Sequence, residues 1–131
     1  MITIVTCWET LQMDPELEWR MWRQLKGAFD IDRFVFAPCQ ESMMTVNIDQ
    51  YDDMQEALDS CQGSRVFLEV SGEKNLSEIP SGDIVLVLGN TQGSNIAYAQ
   101  PGETYKIATP SPTDMYGLNA AAIALAYHYG Q

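Results

Sequence analysis

Apolar residues along this chain fall into two patterns: short unbroken runs, and longer stretches in which they return every three or four positions. Residues 2–7 (ITIVTC) are β-branched or small and almost wholly apolar, which suits a buried strand. Asp14-Pro15-Glu16 is a helix start signal, and it predicts a helix over residues 15–29. At 100° per residue Leu17, Met21, Trp22, Leu25, Ala28 and Phe29 share an arc of about 140°, the expected core face. Arg20, Arg23 and Lys26 occupy about 120° on the opposite side, with Trp19 among them.

Further along, residues 33–37 (RFVFA) read as a second strand stopped by Pro38, and residues 51–61 as a helix with Met54, Ala57, Leu58 and Cys61 inward, closed by Gly63. Residues 40–50 fit neither period. The runs at 65–70 (RVFLEV) and 83–88 (DIVLVL) predict two more strands, and 104–107 a short one. The run at 83–88 is continuous, which implies a strand covered on both faces, as in a parallel sheet. Residues 115–129 form a closing helix that is apolar nearly all round. Strands alternating with helices define an α/β class: a parallel sheet flanked by helices, in one domain spanning residues 1–131.

Composition narrows the field of functions. The chain is 46% hydrophobic, which is ordinary for a globular domain, but its eighteen acids against seven bases leave a net charge of -11. A protein that coats nucleic acid needs clustered Lys and Arg, so that class is disfavoured. Local clustering survives, since Arg20, Arg23, Lys26 and Arg33 fall within fourteen residues. Trp19, read as exposed among them, is a candidate platform for stacking on a base.

Three well-separated cysteines, Cys7, Cys39 and Cys61, with a single histidine, His128, argue against a zinc site or a disulfide framework, so no metal is expected. Inert buried thiols are the expectation for all three, and Asp52-Asp53 and the Glu16/Glu18 pair read as solvated faces. No window approaches the ~18 apolar residues of a membrane span, and no leader pattern opens the chain; a reduced, cytoplasmic protein with no membrane association is expected.

In open α/β sheets ligands bind at the carboxyl ends of strands, which directs attention to the loop after the most strand-like run, Gly89-Asn90-Thr91-Gln92-Gly93-Ser94-Asn95. Its spacing matches neither a P-loop nor G-x-G-x-x-G. A second loop at residues 109–114 leads into the closing helix and can oppose the first.

Taken together, Leu86-Val87-Leu88-Gly89-Asn90 with Gly93, then Ile107 and Pro110, then Leu118-Asn119 opening an alanine-rich helix, resemble the motifs of the SpoU-like (SPOUT) RNA methyltransferases. Those carry an L-V-x-G-N/S-E-x-x-G loop and an I-P-x…S-L-N-x-(S/A)-x-A-x-A-I helix start. The likeness covers residues 51–129 well and 1–50 in outline. It departs from the family pattern at Thr91, in place of glutamate, at Gly117, in place of serine, and after the first strand, where the family's Asn and Arg have no clean counterpart.

The resemblance implies a C-terminal trefoil knot and a pocket for S-adenosylmethionine lined by Leu88, Gly89, Asn90, Gly93, Ile107, Ala108, Pro110 and Leu118. It implies methyl transfer to a ribose 2'-hydroxyl of tRNA or rRNA, with Asn119 at the substrate side of the pocket and Arg23 as the activating residue. A homodimer through the closing helix is expected too, because a helix apolar on every side needs a second cover. Two other readings stay open: a knotted module that binds cofactor or regulates without transferring methyl, and a doubly wound nucleotide-binding domain with no knot.

Overall fold

A computed structural model describes residues 1–8, 14–39, 48–89, 94–111, 115 and 117–130. Seven strands form one parallel sheet: β1 (Ile2–Trp8), β2 (Arg33–Cys39), β3 (Ile48–Gln50), β4 (Ser64–Leu68), β5 (Lys74–Asn75), β6 (Ile84–Val87) and β7 (Thr104–Lys106), in the order β3-β2-β1-β6-β4-β7-β5. Three helices connect and cover them: α1 (Pro15–Phe29), α2 (Met54–Asp59) and α3 (Gly117–Tyr129).

Both faces of the sheet are buried, which is why its central strands are continuous apolar runs. On one face Ile2 and Ile4 of β1, Phe34 and Phe36 of β2 and Ile84 and Leu86 of β6 pack with Trp22 of α1 and with Leu118, Ala121, Ala124 and Leu125 of α3. On the other, Val5, Val35, Phe67, Val85 and Val87 pack against Met54, Ala57 and Leu58 of α2. The alternation of one-face and other-face residues follows from the two-residue period of a strand.

The start of α1 forms as its signal predicts. Pro15 occupies the first turn, and the Asp14 carboxylate accepts from the amides of Glu16 at 2.9 Å and Leu17 at 3.1 Å. Its buried stripe, however, is turned by roughly 50° from the expected arc at 100° per residue. Leu17 is 49% exposed and Ala28 is exposed, whereas Trp19 is half-buried, edge-on to Phe34 with centroids 5.3 Å apart and to Phe36 at 6.4 Å. A tryptophan buries far more area than a leucine or an alanine, so the aromatic contact sets the helix rotation. Trp19 is thereby removed from the base-stacking role. Glu18 turns inward with it, and the reading of Glu16/Glu18 as a solvated pair holds for Glu16 alone.

Strand β2 does not stop at Pro38 but runs to Cys39, with the β1 pairing slipping between Thr6/Phe36 and Trp8/Cys39. A one-residue irregularity absorbs the missing amide, a usual place for proline in a sheet. The ambiguous stretch contains the edge strand β3, whose neighbours 40–47 lie outside the described residues. Two-residue β5 gives no periodic signal and went unpredicted.

Candidate functional site at the carboxyl ends of the sheet

Strands β1 and β6 are neighbours, yet the chain leaves β1 toward β2 on one side and leaves β6 toward β7 on the other. This is a topological switch point, where open α/β sheets form their ligand crevice. The loop that leaves β6 there is held at both ends. The Asn95 side chain donates from Nδ2 to the Leu88 carbonyl at 2.8 Å, closing the loop on itself. One residue earlier, Ser94 Oγ donates to Glu69 Oε1 just after β4 at 2.6 Å and accepts from the Ile96 amide at 2.9 Å.

The helix that follows the second predicted loop meets the start of the first. Gly117 opens α3 against this loop: a Cβ there would lie 3.6 Å from Leu88 Cδ1 and 3.9 Å from the Gly89 carbonyl oxygen. Leu88 and Leu118 are buried, and Ile107, half-buried, packs against the same core. Gly89 is half-buried, whereas Ala108, Pro110 and Asn119 are exposed. The loop 109–111 is braced by Thr109 Oγ1 donating to the Ser111 carbonyl at 3.0 Å. Expected pocket residues Asn90 and Gly93, and the family-position residue Thr91, lie outside the described residues.

Arg23 is exposed midway along α1, about 9 Å of helix axis from Phe29 at 1.5 Å per residue. On the same helix Arg20 Nη2 stands 3.8 Å from Glu16 Oε1, and Lys26 Nζ donates to the Ile31 carbonyl at 3.0 Å. His128, at the far end of α3, bonds through Nδ1 with the Pro80 carbonyl at 2.9 Å, a structural contact. Cys7 is buried and Cys61 half-buried.

One residue that sequence reasoning passed over stands out. Glu18, in the first turn of α1 and so at the carboxyl end of the sheet, is only 7% exposed. Burial pushes its carboxyl above the ordinary carboxylate range, and a hydrogen bond from the Trp22 side chain offsets part of that rise. No cation contributes to the balance. Glutamate beside glutamate looks like a surface pair in sequence, and only the rotation of α1 buries one of them.

The fold is a doubly covered, all-parallel α/β sheet with a candidate site at the β1/β6 switch point. A solved structure described as giving structural insights into the 2-OH methylation of C/U34 on tRNA shares that fold, with a TM-score of 0.69, 20% identity, and coverage of 97% of this chain and 92% of that chain. No family model matches the sequence, and no curated protein matches it. Among the described residues no helix is long and apolar enough to cross a membrane, and no group of His, Cys, Asp and Glu is placed to hold a metal ion.

Proposed function

We propose that the chain is an S-adenosylmethionine-dependent RNA methyltransferase of the SPOUT class, acting on a ribose 2'-hydroxyl of tRNA or rRNA. The observation that carries this is the meeting of the two motif-bearing segments, Gly117 of α3 against Leu88 and Gly89 after β6. The shared fold with a protein of tRNA 2-OH methylation supports it. A C-terminal trefoil knot, α3 passing through the segment between β6 and β7, belongs to the proposal; an experimental chain trace that runs outside that segment overturns it.

The residues present suit this cofactor. Leu88, Leu118 and Ile107 supply an apolar wall for an adenine, Gly89 exposes backbone for close approach, and Ala108, Pro110, Asn90 and Gly93 complete the expected lining. When bound, the cofactor supplies a methyl group made electrophilic by the attached sulfonium. The chain's own part is to orient the two reactants and to receive the proton of the hydroxyl. Asn119, exposed in the first turn of α3, is assigned to the substrate side by the motif resemblance, while Arg20, Arg23 and Lys26 offer phosphate contacts along α1.

Isothermal calorimetry with S-adenosylmethionine and methyl incorporation into total tRNA and rRNA test the proposal. Binding with incorporation is the expected result, and no heat at millimolar cofactor overturns it. A second reading, cofactor binding without transfer, is favoured by Gly117 at the family's serine position and by the lack of a clean counterpart to the family's Asn and Arg after the first strand. Saturable binding with no incorporation in either RNA pool selects it.

We also propose a homodimer through α3. Its inner side is filled by Leu118, Ala121, Ala124 and Leu125, yet Tyr127 is 46% exposed and Ala126 and Asn119 are open as well. A second copy of the same helix is the economical cover, with alanines permitting close approach. Sedimentation at micromolar protein should give a dimer that Ala126→Glu shifts to monomer; a wild-type monomer overturns the interface.

A further inference from the structure

We propose that Glu18 is the group that takes the proton from the substrate hydroxyl, an inference that rests on the methyl-transfer reading above. Arg23 is unsuited to that task, because a guanidinium stays protonated in a protein and has no lone pair to receive a proton. Among the described residues, the other acids near the carboxyl ends of β1, β4 and β6 have surroundings of their own. Asp14 caps α1, Glu16 is exposed beside Arg20, and Glu69 accepts from Ser94. Among the described residues Glu18 has the Trp22 side chain as its partner and no cation beside it.

Its position follows from helix geometry. Helices α1 and α3 lie on the same face of the sheet, both run from its carboxyl to its amino end, and Phe29 stacks on Tyr129 at 5.8 Å where they finish. Glu18 and Leu118 each lie eleven residues before that pair, about 16 Å along their axes at 1.5 Å per residue. The buried carboxylate therefore stands level with the helix start that meets Leu88 and Gly89. Among the described residues no charge on another element contributes to its balance, and the nearest ionisable groups along α1 itself are Asp14, Glu16 and Arg20.

In the step so assigned, the hydroxyl gives its proton to the Glu18 carboxylate as its oxygen bonds to the methyl carbon of the sulfonium donor. The methyl–sulfur bond breaks with its electron pair left on sulfur as a neutral thioether, and the proton passes from Glu18 to water. A carboxylate whose affinity for a proton is raised above the ordinary range is better matched to this task than an ordinary one.

The test compares wild type, Glu18→Gln and Glu18→Asp. General-base loss predicts that Glu18→Gln lowers the transfer rate by about 10²-fold or more, with Glu18→Asp in between. The wild-type rate should climb with pH as a single carboxyl ionises above its ordinary range, and Glu18→Gln should lose that limb. Folding is checked separately. A carboxyl that holds its proton to higher pH when folded makes the folded state bind more protons than the unfolded one, so stability declines as pH rises from about 4.3, the ordinary Glu value, through the raised folded value. The neutral amide keeps an acceptor for Trp22 and escapes that decline, so Glu18→Gln should melt no lower than wild type at neutral pH.

A readout independent of turnover is the carbon-13 titration of the Glu18 carboxyl, which should shift when S-adenosylmethionine saturates the protein. An active wild type with an equally active Glu18→Gln of unchanged pH profile overturns the assignment, as does a titration that cofactor leaves unmoved. A wild type that binds no cofactor instead overturns the methyltransferase reading itself.

Discussion

Gly72→Ala should lower the melting temperature by about 10 °C, from a loss of about 3 kcal/mol. After β4 the chain turns back sharply, the Gly72 amide donating to the Glu69 carbonyl at 3.1 Å, before β5 pairs with Tyr105 and Lys106 of β7. A Cβ at residue 72 would stand 2.3 Å from the Tyr105 carbonyl carbon and 2.7 Å from the Lys106 nitrogen. Those are backbone atoms of a paired strand, so no side-chain rotation relieves the clash. The strand must move, and with it the Glu73 amide bond to Thr104 Oγ1 at 3.0 Å and the Gly102 amide bonds to the Glu73 carboxylate. Differential scanning calorimetry reads the effect; a variant melting within about 1 °C of wild type would show the approach to be looser than described.

Asn95→Leu should weaken S-adenosylmethionine binding about tenfold while leaving the sheet intact. The substitution is close to isosteric, but it strips the Leu88 carbonyl of its partner at the exit of β6 and frees the loop that Asn95 closes. An unpaired carbonyl costs about 1–3 kcal/mol, and 1.4 kcal/mol is a factor of ten in affinity. Calorimetry gives the affinity and a thermal melt the stability. Unchanged affinity would mean that the closure of residues 89–94 plays no part in holding a ligand.

Much of the architecture could be read from local signals, because those signals act locally. Asp14 and Pro15 start α1 by satisfying or omitting amides within the first turn, so its beginning needs no tertiary information. The strands at 2–7 and 83–88 announce themselves because a strand buried on both faces must be apolar throughout. Which face of α1 turns inward depends instead on partners. Period analysis counts Leu17 and Trp19 alike, whereas Phe34 and Phe36 reward the tryptophan and expose the leucine.

The site divides along the same line. Leu88, Gly89, Ile107 and Leu118 are candidates from a motif resemblance, and the structure brings Leu88 and Gly89 to the start of α3. Asn95 lay in the loop that drew attention, yet nothing in its sequence context says that its amide turns back seven residues to Leu88. Glu18 was illegible because its burial comes from a helix rotation that no run of residues encodes.

The strand order has a consequence for how the molecule is made. Strand β6 fills the space between β1 and β4, and β7 the space between β4 and β5, so the centre of the sheet and the gap beside its β5 edge are filled by late segments of the chain. When the first eighty residues have left a ribosome, β1 and β4 have no mutual hydrogen bonds and each still presents an open edge toward the missing β6. Pairing of that kind joins residues such as Ile2 and Ile84 that are far apart along the chain, and loop closure over such separations must precede any gain from contact. The amino-terminal half is therefore no folding unit, and nascent chains carry exposed strand edges until the last third is synthesised.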